Sequence, residues 1–276
     1  MSDRVKALVK ALIGVSMNVL SWGYFGKARR LRKRYLDLMQ SCLAGVIYED
    51  APYPVLGQMR YDSQTREFGY DWPSLAHTMI GSRRLANVRN LAEYVVRWRI
   101  PGDLIETGVW RGGACIMMRA VLEAYKVKNR RVWLADSFEG LPVPDAQRYP
   151  ADAGSKFHEY EELSVPLEAV KENFRKYGLL DEQVVFLKGW FKNTLPTAPI
   201  ERLALLRLDG DLYESTIVPL EALYDKLSVG GFVIVDDYHV VAGCKRAIQD
   251  FCASRKITPA MVEIDGVGVY WRKSRS

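Results

Sequence analysis

Three acidic residues stand at the ends of two short, mainly apolar runs in the second half of the chain. Asp209 ends the run that starts at Leu203, and Asp236 and Asp237 end the run that starts at Gly231. Such runs are typical of parallel strands buried on both faces. Ligands of open α/β sheets lie beyond the carboxyl ends of these strands, and three carboxylates there suit a hard divalent cation such as Mg²⁺. We therefore predict a metal site formed by the three acids.

Helix capping is the competing explanation for the acids in these two segments. A crossover helix is predicted within Tyr213–Leu227, between the two strands, and Asp211 lies just before it. An aspartate in that position often accepts hydrogen bonds from the first N–H groups of a helix, and Asp237 could do the same. The clustering of acids at two neighbouring strand ends favours the metal site over capping.

A glycine-rich turn follows the first strand of the same predicted domain. The segment Asp103–Gly113 is predicted to form a strand and a turn that open a helix through about Lys126. Glycines let the backbone approach a ligand closely, although the spacing is not GxGxxG and is weak on its own. The next strand, Arg131–Asp136, ends in an acid where Rossmann-like folds bind ribose hydroxyls. Helix capping by Asp136 is the alternative.

Strands and helices alternate through this part of the chain. A third strand is predicted at Val184–Trp190, and a closing hairpin at Val262–Trp271 turns around Gly266. We therefore predict an α/β fold: a Rossmann-like doubly wound sheet with a C-terminal antiparallel hairpin and an N-terminal helical extension. The predicted domains are a helical extension with a lid or loop region over 1–100, and a Rossmann-like domain over 101–276.

The region before the first strand is predicted to contribute a lid. Residues 47–69 are rich in Pro, Tyr and Gly and are predicted to form a long surface loop. Pro73 is predicted to lie in the first turn of a short helix, and a longer helix is predicted over Arg83–Arg97. His77 is expected to be structural. Residues 140–163 are predicted to be a mobile insertion over the site.

Charge and cysteine content narrow the functional classes. Residues 1–100 hold 16 Lys and Arg against 8 Asp and Glu, a balance of +8, whereas the remainder holds 23 against 25, a balance of −2. A nucleic-acid groove in the main domain is therefore not expected. The four cysteines form no CxxC pair, and no secretory signal is evident. Both features predict reduced thiols in a cytoplasmic protein.

The N-terminal segment combines an apolar stretch with a basic cluster. Val5–Leu20 is mainly apolar, and six of the eight residues in 27–34 are Lys or Arg. This pattern fits a helix on an anionic membrane surface through residues 1–34, or an amphipathic helix packed on the domain or on a second subunit. We favour the packed helix because solvated basic residues are common on such faces.

Several motifs resemble the macrocin O-methyltransferase family, which includes tylosin, mycinamicin and novobiocin sugar methyltransferases. The resemblance runs from about Tyr35 to the C-terminus, and its motifs occur in order. They are Glu106–Gly113, Ala135–Pro142, Gly189–Phe191, Leu208–Ser215 and Val235–Tyr238. Residues 143–163 and the extreme N-terminus match this family poorly.

The resemblance implies a class I S-adenosylmethionine-dependent fold, a Mg²⁺ ion and methylation of a sugar hydroxyl on a glycosylated natural product. It implies cofactor contacts at Met79, Ile80, Glu106, Thr107, Gly108, Asp136, Ser137 and Trp190. The family's metal ligands fall on Asp209, Asp236 and Asp237, and its proposed general base falls on Asp209. A small-molecule glycoside substrate and a homo-oligomer, a dimer or larger, are further implications.

Three other functions are weighed against this one. An NAD-binding oxidoreductase would need a phosphate-binding glycine fingerprint, which the turn after the first strand matches poorly. A non-catalytic, membrane-associated scaffold is disfavoured because all three acids at the predicted metal site are intact. A methyltransferase acting on a catechol-like or polysaccharide-end diol would use the same metal, so only a substrate test separates it from the sugar enzyme.

Overall fold

The structure, a computed structural model, describes residues 26–274. Its contacts divide the chain into two compact units between Leu38 and Met39. In the first unit, residues 26–38 are helical and carry a Lys33–Asp37 ion pair of 2.7 Å. The predicted apolar helix at Val5–Leu20 lies outside the described residues. The predicted division at residues 100 and 101 stays a prediction.

The second unit is built on a seven-stranded sheet in the order β3-β2-β1-β4-β5-β7-β6. Strands β1 to β5 run parallel, while β7 pairs antiparallel with both β5 and β6. The predicted doubly wound sheet and its closing hairpin are therefore confirmed. The strands are β1 Asp103–Thr107, β2 Val132–Asp136, β3 Val184–Lys188, β4 Leu203–Leu208, β5 Leu227–Val235, β6 Val262–Glu263 and β7 Val269–Arg272.

Helices pack on both faces of this sheet, as the near-continuous apolar runs of its central strands require. All six residues of β4 are buried, including Arg207. The helices are α1 at residues 39–43, α2 Ser63–Phe68, α3 Gly81–Arg97, α4 Gly113–Ala124, α5 Leu167–Lys176, α6 Phe191–Thr194, α7 Tyr213–Leu223 and α8 Ala242–Ser254. Among residues 26–274, no helix is long and apolar enough to span a membrane.

The region predicted as one long loop over residues 47–69 is more ordered than expected. It contains a short 3₁₀ helix at Pro54–Leu56 and helix α2. Asp62 caps α2 by accepting from the Thr65 N–H at 2.7 Å, and Gly69 ends it at a φ of 67°. These are ordinary start and stop signals, which the Pro and Tyr content of the segment obscured.

Pro73 does not begin a helix, so that prediction is wrong. It forms an isolated antiparallel bridge with Pro52 instead. The bridge is stabilised by Asp50, whose carboxylate accepts from the Ser74 hydroxyl and the Leu75 N–H at 2.8 and 2.9 Å. Long-range side-chain contacts therefore override the local preference of proline for a first helical turn.

A buried arginine holds together residues 44–80, which are called the cap region below. Arg66 is fully buried and pairs with Asp71, and its guanidinium donates to the carbonyls of Ala44 and Asp50 at 2.9 and 2.6 Å. A buried guanidinium needs every one of these partners, so the segments that supply them are held together. The residues that follow, including Met79, are thereby placed at the edge of the sheet.

The predicted insertion at residues 140–163 is irregular, as expected, but side-chain contacts fix it to the domain. It consists of short 3₁₀ turns such as Pro150–Asp152. The Trp110 indole N–H donates to the Glu162 carbonyl at 2.8 Å, and Tyr160 packs edge-on against Trp72. The insertion is therefore attached to both the glycine-rich turn and the cap region.

Candidate functional site

A cavity opens at the carboxyl ends of β1, β2 and β4, where an open α/β sheet is expected to bind its ligands. Its empty volume is about 1130 Å³, including the open solvent at its mouth. Residues from the glycine-rich turn, the insertion and the loop after β4 form its walls. They include Met79, Gly108, Trp110, Asp136, Ser137, Leu141, Pro142, Val143, Trp190, Phe191, Asp209 and Asp211.

The first wall, called the donor wall, comprises Met79, Gly108, Asp136, Ser137 and Trp190. Gly108 has a φ of 86°, and a Cβ there would lie 1.7 Å from the backbone oxygen of Asp209. Only glycine lets the loops after β1 and β4 come this close.

Asp136 is held on the donor wall by the backbone. Its carboxylate accepts from the N–H groups of Val109 and Phe138, both at 2.7 Å, and burial raises its pKa. Phe138 lies in a turn rather than in a helix, so Asp136 does not cap a helix. A carboxylate has about four acceptor positions, so Asp136 keeps capacity for a ligand diol.

The other predicted cofactor contacts are buried beside the cavity rather than on its wall. Ile80 and Thr107 are buried, and Glu106 is 2% exposed. Glu106 pairs with Arg207 and accepts from the Cys115 thiol at 2.9 Å. Burial raises the pKa of Glu106 to about 7. The roles assigned to these three residues stay predictions.

Asp209, which lines the cavity, forms an acid cluster with Asp236 and Asp237. One carboxylate oxygen from each lies within 4.8 Å of the others. Asp209 lies on the cavity wall, while Asp236 and Asp237 are 3% and 8% exposed beneath it. The sequence therefore predicted correctly that three acids from two separate strand ends meet.

Helix capping does not explain these acids. The first N–H groups of α7, on Tyr213 and Glu214, donate to Asp152 of the insertion at 2.6 and 3.1 Å. Neither α7 nor α8 has a capping hydrogen bond from the side chain just before it. Asp211 and Asp237 are therefore free of that structural role.

Two buried arginines balance part of the negative charge, and the sequence analysis did not identify either. Arg207 pairs with Glu106, Asp209 and Asp236, the Asp209 distance being 2.6 Å. Arg84 of α3 pairs with Asp236 and, at 3.0 Å, with Asp265. The apolar context of Arg207 within β4 was the one signal available, because a charged residue fully buried in a strand needs fixed partners.

Asp211 is a further site residue whose position the sequence did not predict. It lies on the cavity wall with a φ of 58°, and its side chain accepts no hydrogen bond from residues 26–274. Burial and then the charge of Asp209 raise its pKa to about 7. A half-buried carboxylate without a partner in a cavity is a candidate for proton transfer.

The acid cluster fits a divalent cation. The buried Oδ2 atom of Asp237 has no hydrogen-bond partner within the described chain, and burial followed by the charge of Asp211 raises the pKa of this carboxyl well above its usual range. Both Asp236 oxygens accept from arginines, yet each keeps a second lone pair. Oxygen donors of this kind are those that Mg²⁺ prefers.

This sheet order, with a cavity at the ends of its central strands, defines a class I methyltransferase fold. The solved structure of the O-methyltransferase NovP matches with a TM-score of 0.85 and 52% identity, over 88% of this chain and 100% of that chain. A model of the Macrocin-O-methyltransferase (TylF) family matches residues 32–273. The chain belongs to the macrocin O-methyltransferase family and is an O-methyltransferase, which confirms the resemblance seen in its motifs.

Two curated relatives are similar over most of their length. Demethyldecarbamoylnovobiocin O-methyltransferase of Streptomyces niveus is 52% identical over 245 residues, covering 87% of this chain and 94% of the relative. The 8-demethyl-8-(2,3-dimethoxy-alpha-L-rhamnosyl)-tetracenomycin-C 4'-O-methyltransferase of Streptomyces olivaceus is 53% identical over 243 residues, covering 87% and 93%.

Proposed function

We propose that this enzyme transfers the methyl group of S-adenosylmethionine to a sugar hydroxyl of a glycosylated natural product, with Mg²⁺ bound at the acid cluster. One observation carries the proposal: a single cavity joins the two predicted sites. Gly108 and Asp136 of the donor wall line this cavity, and so does Asp209 of the acid cluster. The tetracenomycin relative, whose name specifies a rhamnosyl group, supports a sugar acceptor.

The donor wall has the features that a methyl-donor nucleoside requires. S-adenosylmethionine, when bound, supplies an electrophilic methyl group on its sulfonium. The turn at Gly108 brings backbone close to the ligand, and Asp136 has acceptor capacity for the ribose diol. Ser137 and Trp190 lie on the same wall and would contact the adenosine, and Met79 also lines the cavity.

The acid cluster would hold the metal through one oxygen each of Asp209, Asp236 and Asp237. A Mg²⁺ ion held by these residues would supply a Lewis acid, which would lower the pKa of a neighbouring acceptor hydroxyl. Asp209 connects the cluster to the cavity, since it is the member on the cavity wall. We therefore propose that the acceptor oxygen binds between this acid and the donor wall.

We assign proton removal to Asp211 in preference to Asp209, which the resemblance implied. Asp209 accepts a 2.6 Å hydrogen bond from Arg207, and that cation weakens it as a base. Asp211 lies two residues further along the same wall and has no competing partner among residues 26–274. A carboxylate free of an arginine is the better proton acceptor for a hydroxyl.

The insertion supplies an apolar surface suited to the aglycone. Leu141, Pro142 and Val143 of the insertion line the cavity, and so does Phe191 of α6. A glycoside presents a polar sugar and a larger apolar body, so one end of the cavity would bind each part. The proposed homo-oligomer and the proposed cytoplasmic location are separate expectations and do not enter this assignment.

Methyl transfer from deuterated-methyl S-adenosylmethionine tests the proposal directly. The purified protein is incubated with deoxysugar glycosides, catechols and simple diols, with Mg²⁺ or with EDTA, and products are analysed by mass spectrometry. We expect label on a sugar oxygen, lost in EDTA and reduced about 10³-fold in Asp236→Asn, because a metal contributes several kcal/mol to such a step.

Binding of S-adenosylhomocysteine to Asp236→Asn serves as the control and should stay close to wild type. Label retained in EDTA would overturn the role of the metal while leaving the methyltransferase. Label confined to catechols would replace the sugar acceptor with the alternative diol.

A further inference from the structure

We infer that Arg84 is a positioning residue for the metal ligand Asp236, and that it holds this carboxylate in the orientation that a divalent cation requires. The inference rests on the metal site of the proposed function. Arg84 does not line the cavity and reaches the acid cluster only through Asp236. It is the fourth residue of α3, about 150 residues before Asp236 in the sequence.

Hydrogen bonds from all three nitrogens fix the guanidinium of Arg84. Its Nη1 donates to Asp236 Oδ2, and its Nε donates to Asp265 Oδ2 at 3.0 Å. Its Nη2 donates to the carbonyls of Phe68 and Gly69 at 3.2 and 3.4 Å. The planar guanidinium therefore has a partner on every nitrogen, which leaves it one orientation.

Asp265, one of the partners of Arg84, is itself held in place by the backbone. Its Oδ1 atom accepts from the N–H groups of Val267 and Gly268, both at 3.1 Å, within the hairpin turn between β6 and β7. That hairpin pairs with β5, the strand that ends next to Asp236. Arg84 thus connects Asp236 to two separate parts of the backbone, the β6–β7 turn and the end of α2.

Three glycines create the space that Arg84 occupies. A Cβ at Gly69 would lie 2.6 Å from Arg84 Nη2, and a Cβ at Gly268 would lie 3.3 Å from Arg84 Cδ. A Cβ at Gly81 would lie 2.4 Å from the Gly69 nitrogen. These close approaches let the end of α2 and the start of α3 pack around the Arg84 side chain, which no residue larger than glycine would allow.

The effect of the Arg84 contacts can be separated from the effect of its charge, because lysine keeps the positive charge but cannot make all of the contacts. Arg84→Lys retains the positive charge near Asp236 but cannot reach Asp236, Asp265 and two carbonyls at once. If charge alone mattered, lysine would leave the affinity for a cation unchanged, and the neutral Arg84→Met would raise it. If position matters, both substitutions lower it.

Binding of Mn²⁺ to the purified full-length protein, measured by electron paramagnetic resonance, distinguishes these outcomes without any turnover. We expect Arg84→Lys to raise the dissociation constant about 10-fold or more, the usual effect of losing a partner that orients a metal ligand. Affinity for S-adenosylhomocysteine should change less than about twofold, since Arg84 is absent from the donor wall.

Arg66→Lys is the matched control. Arg66 is also a buried arginine that pairs with an aspartate and with two backbone carbonyls, but none of these partners belongs to the acid cluster. It should lower the melting temperature and leave Mn²⁺ binding unchanged. A similar loss of Mn²⁺ affinity in Arg66→Lys would show a general effect of destabilisation and would overturn the inference.

The remaining outcomes separate this inference from the proposed function. Wild-type binding of Mn²⁺ that Arg84→Lys leaves unchanged would overturn the inference alone. A wild-type protein that binds no Mn²⁺ would overturn the metal site and this inference with it. If Arg84→Lys does not fold, Asp265→Asn removes one fixed partner of the guanidinium and should weaken Mn²⁺ binding in the same direction.

Discussion

The two walls of the cavity are built by different means. On the donor wall, Asp136 is fixed by backbone N–H groups from Val109 and Phe138, which lie within about 30 residues of it. On the other wall, the acid cluster is fixed by Arg84 and Arg207, whose partners lie up to 181 residues away. The Asp136 carboxylate is therefore held by backbone that is near in sequence, and the acid cluster by side chains that are distant in sequence.

The difference follows from the charge that each wall carries. Asp136 is one carboxylate, and hydrogen bonds from the backbone suffice to stabilise it. Asp209, Asp236 and Asp237 are three carboxylates within a few ångströms, and burying them together is costly without cations nearby. Each wall can therefore be damaged without the other, and the following experiments exploit that independence.

The largest effect is expected at the acid side from Asp211→Asn. Loss of a general base should reduce kcat about 10²–10⁴-fold, and Mn²⁺ and S-adenosylhomocysteine affinities should stay near wild type. Steady-state kinetics and binding measurements on the same preparation check this. Asp209→Asn is the comparison, since it should lose Mn²⁺ affinity as well. An Asp211→Asn variant that binds Mn²⁺ as poorly as Asp209→Asn would instead make Asp211 a metal ligand.

A smaller effect is expected at the donor wall from Asp136→Ala. Hydrogen bonds to a charged group contribute about 1.5–3 kcal/mol, so the dissociation constant for S-adenosylhomocysteine should rise about 10-fold or more by calorimetry. Mn²⁺ binding should be unaffected. Asp103→Ala is the control, because Asp103 likewise accepts from a backbone N–H and from the Trp133 indole, but at the opposite end of β1. Unchanged affinity in Asp136→Ala would show that the ribose assignment is wrong.

The smallest effect is expected from Asp152→Ala, at the contact between the insertion and α7. Asp152 caps α7 through the N–H groups of Tyr213 and Glu214, so Asp152→Ala should lower the free energy of unfolding by about 1 kcal/mol. It should also raise KM for the acceptor by releasing the apolar side of the cavity. Asp62→Ala removes a comparable cap from α2 and should cost similar stability without changing that KM. Equal KM values for the two variants would show that the insertion does not contribute to acceptor binding.

Much of the architecture followed from local sequence patterns. Buried runs that end abruptly in acids, glycine turns and a hairpin around Gly266 predicted the parallel sheet and its antiparallel edge correctly. The errors lie in the cap region, where 47–69 contains α2 and Pro73 bridges Pro52. In that region Arg66 and Asp50 decide the path of the chain through contacts over 16 to 26 residues, and local propensity has little influence.

The sequence by itself determined the residues that can react. Carboxylates at strand ends, a glycine that alone tolerates the turn at Gly108, and an acid at Asp136 are specified by residue type and by the periodicity of the surrounding elements. Strand direction then brings such residues to one edge of the sheet, so their meeting was predictable without coordinates.

Only the tertiary structure decided how those acids are held. Arg84 reaches Asp236 because Gly69, Gly81 and Gly268 let three distant segments approach one another, and no spacing in the sequence records that approach. The orientation of a buried carboxylate depends on which cations and N–H groups surround it in space. That environment is a property of the packed chain, and it is the reason why we propose a different task for Asp211, which accepts no arginine hydrogen bond, than for Asp209.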